Sequence, residues 1–158
     1  MVVQSRQPTG SESEGKTAFH LAVENNQQKV IQMLMRLVPD LDCRDAKGRT
    51  AMHLAVQSDH VSVVEILAGS NNAEWMNSGT RHFANVNVQD VDGLTPLHYA
   101  VTRGKLDMVE KLLTIPELDM EIKDFQGHTP LHRALLSGFD GVAEALIAKG
   151  ADFNARVG

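Results

Sequence analysis

Histidine is the side chain in this sequence that could most readily bind a metal or transfer a proton, and the chain contains seven. Two of them, His128 and His132, stand four residues apart, a spacing that can bring two metal ligands onto one helix face. Pro130 marks the start of a helix after His128, so the two side chains are not expected to share a helical turn. We therefore predict no metal site here.

The other residue types with catalytic potential show no pattern typical of an active site. The sequence has no glycine-rich phosphate loop, no nucleophile elbow and no cysteine–histidine pair. Cys43, the single cysteine, cannot form an internal disulfide and is interpreted as a packed thiol. Asp45, Asp90 and Asp124 recur at the first position of similar turns, which favours turn formation over catalysis. The sequence thus predicts no catalysis, no cofactor and no small-molecule substrate.

Composition and charge argue against several other classes of function. The 158 residues are 42% hydrophobic but only 4% aromatic, which favours one helical domain with an aliphatic core. A net charge of -5 and the lack of a lysine or arginine run argue against nucleic acid as a partner. No N-terminal apolar run is typical of a signal peptide or a membrane span. We therefore expect an intracellular protein, cytoplasmic or nuclear, that does not insert into membranes.

The turn and helix signals that could position these residues form an internal repeat. One six-residue phrase, which begins with threonine and has histidine at its fourth position, occurs four times. The intervals between the copies are 33, 45 and 34 residues, and the copies begin at Thr17, Thr50, Thr95 and Thr129. Each copy follows a turn signal, threonine can cap a helix, and proline follows it in two copies. The phrase is therefore predicted to begin a helix.

A second apolar pattern follows each phrase after about eight residues and has the spacing of one face of a short helix. Val30, Ile31 and Leu34 form this pattern in the first copy. Each unit is therefore predicted to be a helix pair.

These units resemble the ankyrin-repeat family, whose period is about 33 residues and whose signature phrase is Thr-Pro-Leu-His-x-Ala. The resemblance covers residues 12–156 and implies an all-α solenoid of stacked helix-turn-helix units with hairpin-like turn tips. We predict an ankyrin-repeat domain over residues 12–158, with repeats at about 12–44, 45–89, 90–123 and 124–156, after a flexible tail over residues 1–11. The resemblance also implies hydrogen bonds between neighbouring turns for the four repeated histidines, His20, His53, His98 and His132.

The second repeat is longer than the first by 12 residues, which we interpret as a loop insertion over residues 70–83. The insertion contains Trp75, the only tryptophan of the chain. Three interpretations remain open: Trp75 covers apolar helix surface, Trp75 and Phe83 anchor a partner, or the loop is disordered.

In ankyrin proteins the turn tips and the exposed sides of the first helices form a concave surface, and the resemblance implies that this surface binds another protein or a peptide. The residues singled out there are Arg49, Leu94, Tyr99, Arg103, Phe125, His128 and Arg133. Tyr99 and Phe125 are favoured as anchors, and the arginines are suited to carboxylates of a partner. We predict a non-catalytic, regulatory interaction scaffold. The alternative is a substrate-selecting or regulatory domain of a larger enzyme or channel.

Further expectations concern the fourth repeat and the group of ankyrin-repeat proteins that the chain resembles. Residues 146–154 resemble sites that asparaginyl hydroxylase modifies in ankyrin repeats, with Asn154 as acceptor and Phe153 departing from the usual valine or isoleucine. The second helix of this repeat lacks the polar outer face of a capping repeat, which indicates a fragment of a longer array or of a multidomain protein. The array also resembles those of the NF-κB inhibitor group, which likewise tolerate insertions between repeats.

Overall fold

The computed structural model describes residues 15–37, 40–69 and 83–158. Within these ranges the chain forms eight α-helices and no strand. The helices are α1 Ala18–Glu24, α2 Gln28–Leu37, α3 Ala51–Gln57, α4 Val61–Leu67, α5 Pro96–Thr102, α6 Leu106–Leu113, α7 Pro130–Leu136 and α8 Asp140–Ala148. The predicted all-α architecture of helix pairs is confirmed. None of the helices in the described ranges is long and apolar enough to cross a bilayer.

The first helix of every pair begins at the repeated threonine because local side chains satisfy its free backbone groups. Each threonine is the N-cap, and its hydroxyl accepts a hydrogen bond from the backbone N–H of the histidine three residues later. The histidine Nδ1 accepts the threonine N–H in return, at 3.1 Å between Thr50 and His53. This reciprocal capping box satisfies two backbone donors that a helix N-terminus leaves free.

The helices stack in two layers. The first helices α1, α3, α5 and α7 pack side by side, and the second helices α2, α4, α6 and α8 form the other layer. One continuous aliphatic core runs between the layers and through all four pairs. Its largest fully buried apolar side chains are Ile31, Met35, Met52, Leu54, Leu67, Leu97, Met108, Leu112 and Leu146. Each pair therefore depends on its neighbours for burial, as in other linear repeat proteins.

Finger turns, defined as residues 45–49, 90–94 and 124–128, precede the last three helix pairs. In the first of them, the Asp45 Oδ1 atom accepts the backbone N–H groups of Lys47 and Arg49, both at 2.9 Å. Asp90 and Asp124 make the equivalent bonds in the later turns. These carboxylates replace the backbone partners that a tight turn cannot provide, which confirms their predicted role in turn formation.

The finger turns are joined to one another by the backbone and by the repeated histidines. Val91 N–H donates to the Lys47 carbonyl, and Phe125 N–H donates to the Asp92 carbonyl, both at 3.1 Å. Because the His53 Nδ1 atom accepts a hydrogen bond, its Nε2 atom carries the proton and donates to the Leu94 carbonyl of the next turn, at 2.8 Å.

The other three repeated histidines also bond to a backbone carbonyl of the next repeated segment, though not always to the same position. His98 contacts the His128 carbonyl, His132 the Ala155 carbonyl and His20 the Cys43 carbonyl. The predicted structural role of these four imidazoles is confirmed.

The predicted tail over residues 1–11 and nearly all of the predicted insertion, including Trp75, lie outside the described residues. Phe83, the last residue of the predicted insertion, is described by the structure and is partly buried. Its ring lies against the α-carbon of Gly69, at the end of the second helix pair. The phenyl group therefore packs on the stack itself.

Candidate functional site

The finger surface is defined as the tips of the finger turns together with the exposed side of the first helices. The sequence predicted seven binding residues on this surface. In the structure they differ in burial and in their hydrogen-bond partners. Arg49, Tyr99 and Arg133 bond to turn aspartates, Leu94 and His128 are partly buried, and Arg103 and Phe125 are exposed.

Arg49 is buried, and its charge is used inside the repeat. Its contact with a partner stays a prediction. Its guanidinium bonds to Asp45 Oδ2 through Nε and Nη2, each at 2.8 Å, and Nη1 donates to the Gln57 side chain. Burial alone would raise the pKa of Asp45, but the backbone and side-chain hydrogen bonds from Arg49 and its positive charge lower that pKa overall. The pair holds the turn against helix α3.

Tyr99 makes the corresponding bond in the third repeat. Its hydroxyl donates to Asp90 Oδ2 at 2.5 Å, and its ring packs edge-on against His53 with 5.0 Å between centroids. Burial and the hydrogen bond to the Asp90 carboxylate raise the pKa of Tyr99. The hydroxyl group of Tyr99, a predicted partner anchor, therefore forms a hydrogen bond within the repeat domain.

Arg133 completes the series in the fourth repeat. Its Nε atom donates to Asp124 Oδ2 at 2.7 Å, and its Nη2 atom donates to the Gln126 side chain at 2.6 Å. The Oδ2 atom of each turn aspartate thus accepts a hydrogen bond from a different side chain: Arg49, Tyr99 or Arg133. Arg103 is exposed, and its Nη1 atom donates to the Gln57 carbonyl of the preceding repeat at 2.9 Å.

We expect Tyr99→Phe to lower the free energy of unfolding by about 1–2 kcal/mol, because the Asp90 oxygen loses its donor while the ring stays packed. Urea denaturation measures the change. Thr102→Val is the matched control, since it removes an exposed hydrogen bond at the end of the same helix and is expected to have little effect. Equal stability of Tyr99→Phe and the unmodified chain would contradict a structural role for this hydroxyl.

The fourth repeat presents two strongly exposed apolar side chains on the finger surface, whereas the third presents Val91 at its turn tip. Phe125 and Leu136 are each 69% exposed, and the ring of Phe125 stands over Gly93 at the tip of the preceding turn. Leu136 follows Arg133 by three residues on α7, so it lies on the same side of that helix. An open cavity of about 400 Å³ is lined by Asp92, Leu94, Phe125, Gln126 and Arg133.

Leu136 was not among the seven selected residues, although the sequence carries a signal for it. The equivalent positions of the other repeats hold Glu24, Gln57 and Thr102, so leucine is the only apolar residue in this series. An apolar side chain that remains exposed where the other repeats are polar is the kind of position that marks an interface.

His128 contributes mainly to the turn. Its carbonyl accepts a hydrogen bond from His98, and its buried Nδ1 atom has no hydrogen-bond partner among the described residues, with Asp124 Oδ1 at 3.7 Å. His128 precedes helix α7 whereas His132 lies inside it, and their ring centroids are 6.4 Å apart. Among the described residues, no three histidine, cysteine or acidic side chains are grouped closely enough to hold a metal.

Asn154 is exposed, and its backbone N–H donates to Asp152 Oδ1 at 2.9 Å. The equivalent residue Asn87 makes the same backbone bond to Asn85, and its side-chain oxygen also accepts the backbone N–H of Asp119 in the next repeat, at 2.9 Å. The Asn154 side chain has no such partner in the part of the chain that the structure describes. Its hydroxylation stays a prediction.

The periodic helix pairs, capped turns and histidine bonds agree with a sequence comparison. A family model described as ankyrin repeats (3 copies) matches residues 3–79 and 74–157, which together include nearly the whole chain. No curated protein matches the chain.

Proposed function

The chain belongs to the ankyrin-repeat family, whose repeats are generally protein–protein interaction modules, and on this basis we propose that its finger surface binds a protein or peptide. The binding centre in this proposal is the fourth repeat, where Phe125 and Leu136 present apolar side chains to solvent. Exposure of both side chains on one side of the stack is the observation that carries the proposal. The proposed role is non-catalytic, because recognition of this kind needs no chemical step.

The charges around these two side chains indicate what kind of partner fits. The nearby Arg133 guanidinium already bonds to Asp124 and Gln126, so a partner carboxylate would have to displace these internal bonds. Phe125 and Leu136 carry no such competing bond, and each can be buried at once by an apolar residue of the partner. We therefore propose a partner segment with apolar anchor side chains, framed by polar groups that meet the exposed Asp92 and Gln126.

The bonded state of Arg133 also bears on how binding depends on salt concentration. Binding that depends on apolar anchors is expected to change little with ionic strength, because the nearby arginine charge is already compensated.

The test compares partners captured from a cell lysate by the purified chain and by the double variant Phe125→Ala/Leu136→Ala. The identified partner is then titrated by calorimetry, where the double variant is expected to bind at least about 30-fold more weakly, equivalent to about 2 kcal/mol. Leu106→Ala is the matched control, since Leu106 is a partly exposed leucine on α6 in the second-helix layer. Circular dichroism checks that all variants are folded.

A partner that binds the double variant as tightly as the unmodified chain would overturn the proposal. Attention would then move to the insertion over residues 70–83, where Trp75 is the remaining candidate anchor.

A further inference from the structure

The outer side of the fourth repeat exposes apolar positions that are buried or partly buried in the earlier repeats, where the next helix pair covers them. Leu135 is 58% exposed, whereas the equivalent Val23, Val56 and Val101 are at most 1% exposed. Phe153 is 70% exposed, whereas the equivalent Leu41 and Val86 are 3% exposed and the equivalent Met120 is partly buried. Ile147, on α8, is a third exposed apolar residue of this side. We call Leu135, Ile147 and Phe153 the trailing face.

The outer side of the first repeat shows the complementary feature. Met33 is 60% exposed, whereas the equivalent Ile66 of the second repeat is 5% exposed. Leu21 and Val30 are each 41% exposed, although Leu54 and Val63, their equivalents, are fully buried. We call Leu21, Val30 and Met33 the leading face.

Inside the stack, each junction between repeats joins a trailing face to a leading face. Val56 and Met108 illustrate this arrangement, since both are fully buried where α3 and α4 meet α5 and α6. Among the described residues, no helix pair covers the trailing face of the fourth repeat or the leading face of the first. These two faces are therefore the two halves of a junction that the molecule already forms three times.

The positions of charged residues also favour a second molecule that stacks on the fourth repeat as one repeat stacks on the next. In the junction between the second and third repeats, Lys111 pairs with Glu65. The position of Glu65 is held by the exposed Glu144 in the fourth repeat, and the position of Lys111 is held by Met33 in the first. Lys29 is exposed one helical turn before Met33 on α2, so a molecule stacked in this register would bring Lys29 towards Glu144.

We propose that the 158-residue chain associates head to tail, with the trailing face of one copy packed on the leading face of a second. Such an interface is heterologous: each copy contributes a different surface, and each end remains able to bind a further copy. This association uses the two ends of the stack and leaves Phe125 and Leu136 on the finger surface available.

Sedimentation velocity over a series of concentrations tests the proposal. The unmodified chain is expected to show a sedimentation coefficient that rises with concentration. Met33→Glu and Phe153→Glu each place a carboxylate in the proposed junction and are expected to weaken association by about 100-fold or more. Both positions are exposed in the single molecule, so both variants are expected to fold, which circular dichroism verifies.

Mixing the two variants gives the decisive measurement. Met33→Glu keeps an intact trailing face and Phe153→Glu keeps an intact leading face, so the mixture is expected to form dimers but nothing larger. Phe125→Ala is the control and is expected to associate like the unmodified chain. A chain that stays monomeric at every concentration would overturn the proposal. Full association of either single variant would also overturn it, because the two copies would then use like surfaces.

Discussion

Gly93→Ala is expected to lower the free energy of unfolding by about 3–5 kcal/mol, because two separate costs add at this position. Gly93 has a φ of +80°, a left-handed conformation that residues with a Cβ adopt only with strain. A Cβ at Gly93 would also lie 2.6 Å from the backbone nitrogen of Phe125. That nitrogen donates to Asp92, so the finger turns would have to separate and lose a hydrogen bond.

Gly138→Ala is the matched control, since it isolates the conformational cost. Gly138 has a φ of +74°, but no atom lies within 4 Å of a Cβ built there. We expect it to cost only about 1–2 kcal/mol. Urea denaturation of both variants measures the difference. Equal losses would show that the contact between neighbouring finger turns contributes no measurable stability.

Acidification is expected to destabilise the protein as the pH falls below about 6.5, the ordinary pKa of histidine. Burial lowers the pKa of His53, although the bond to Leu94 and the Asp90 and Asp45 carboxylates act in the opposite direction. Burial likewise lowers the pKa of His98, against the bond to His128 and the charge of Asp124. Between the folded and unfolded pKa values, the unfolded chain therefore binds protons that the folded chain does not.

The stability contributed by the two neutral imidazoles is thus fully present above about pH 6.5 and is lost below it, at up to about 1.4 kcal/mol per pH unit for each histidine. Urea denaturation from about pH 7.5 to about pH 5.5 measures this slope. The turn carboxylates Asp45 and Asp124, whose pKa values are lowered overall, add a further loss at more acidic pH.

His98→Gln serves as the control for the acid effect. Its amide can still donate to the His128 carbonyl, but it no longer takes up a proton. The variant is expected to be less stable at neutral pH. Its free energy of unfolding is expected to change with pH about half as steeply, because only one of the two histidines still takes up a proton. A free energy of unfolding that stays constant between about pH 7 and about pH 5.5 would contradict the assignment.

The sequence predicted the helix pairs well because their signals are local. A threonine, a histidine three residues later and a preceding turn lie within one short segment, so the cap of helix α3 at Thr50 could be predicted without knowledge of the fold. The fourfold recurrence of this segment then indicated how the units stack.

The availability of the candidate binding residues was harder to predict. Arg49 and Arg133 are both arginines beside a finger turn, yet Arg49 is buried and Arg133 only partly so. Arg49 reaches an aspartate four residues earlier and Arg133 reaches one nine residues earlier. Which donor meets the free carboxylate oxygen depends on how the turn lies against its helix, and sequence spacing does not specify that geometry.

By itself, the sequence determined the repeat, its helix starts and its turn chemistry, because these depend on interactions between residues a few positions apart. Only the tertiary structure decided which side chains remain exposed. Leu135 and Val101 occupy equivalent positions in successive repeats, but Val101 is buried by the following helix pair and Leu135 is not. Burial is a property of the neighbouring repeat, so identical local patterns produce core in one unit and accessible surface in another.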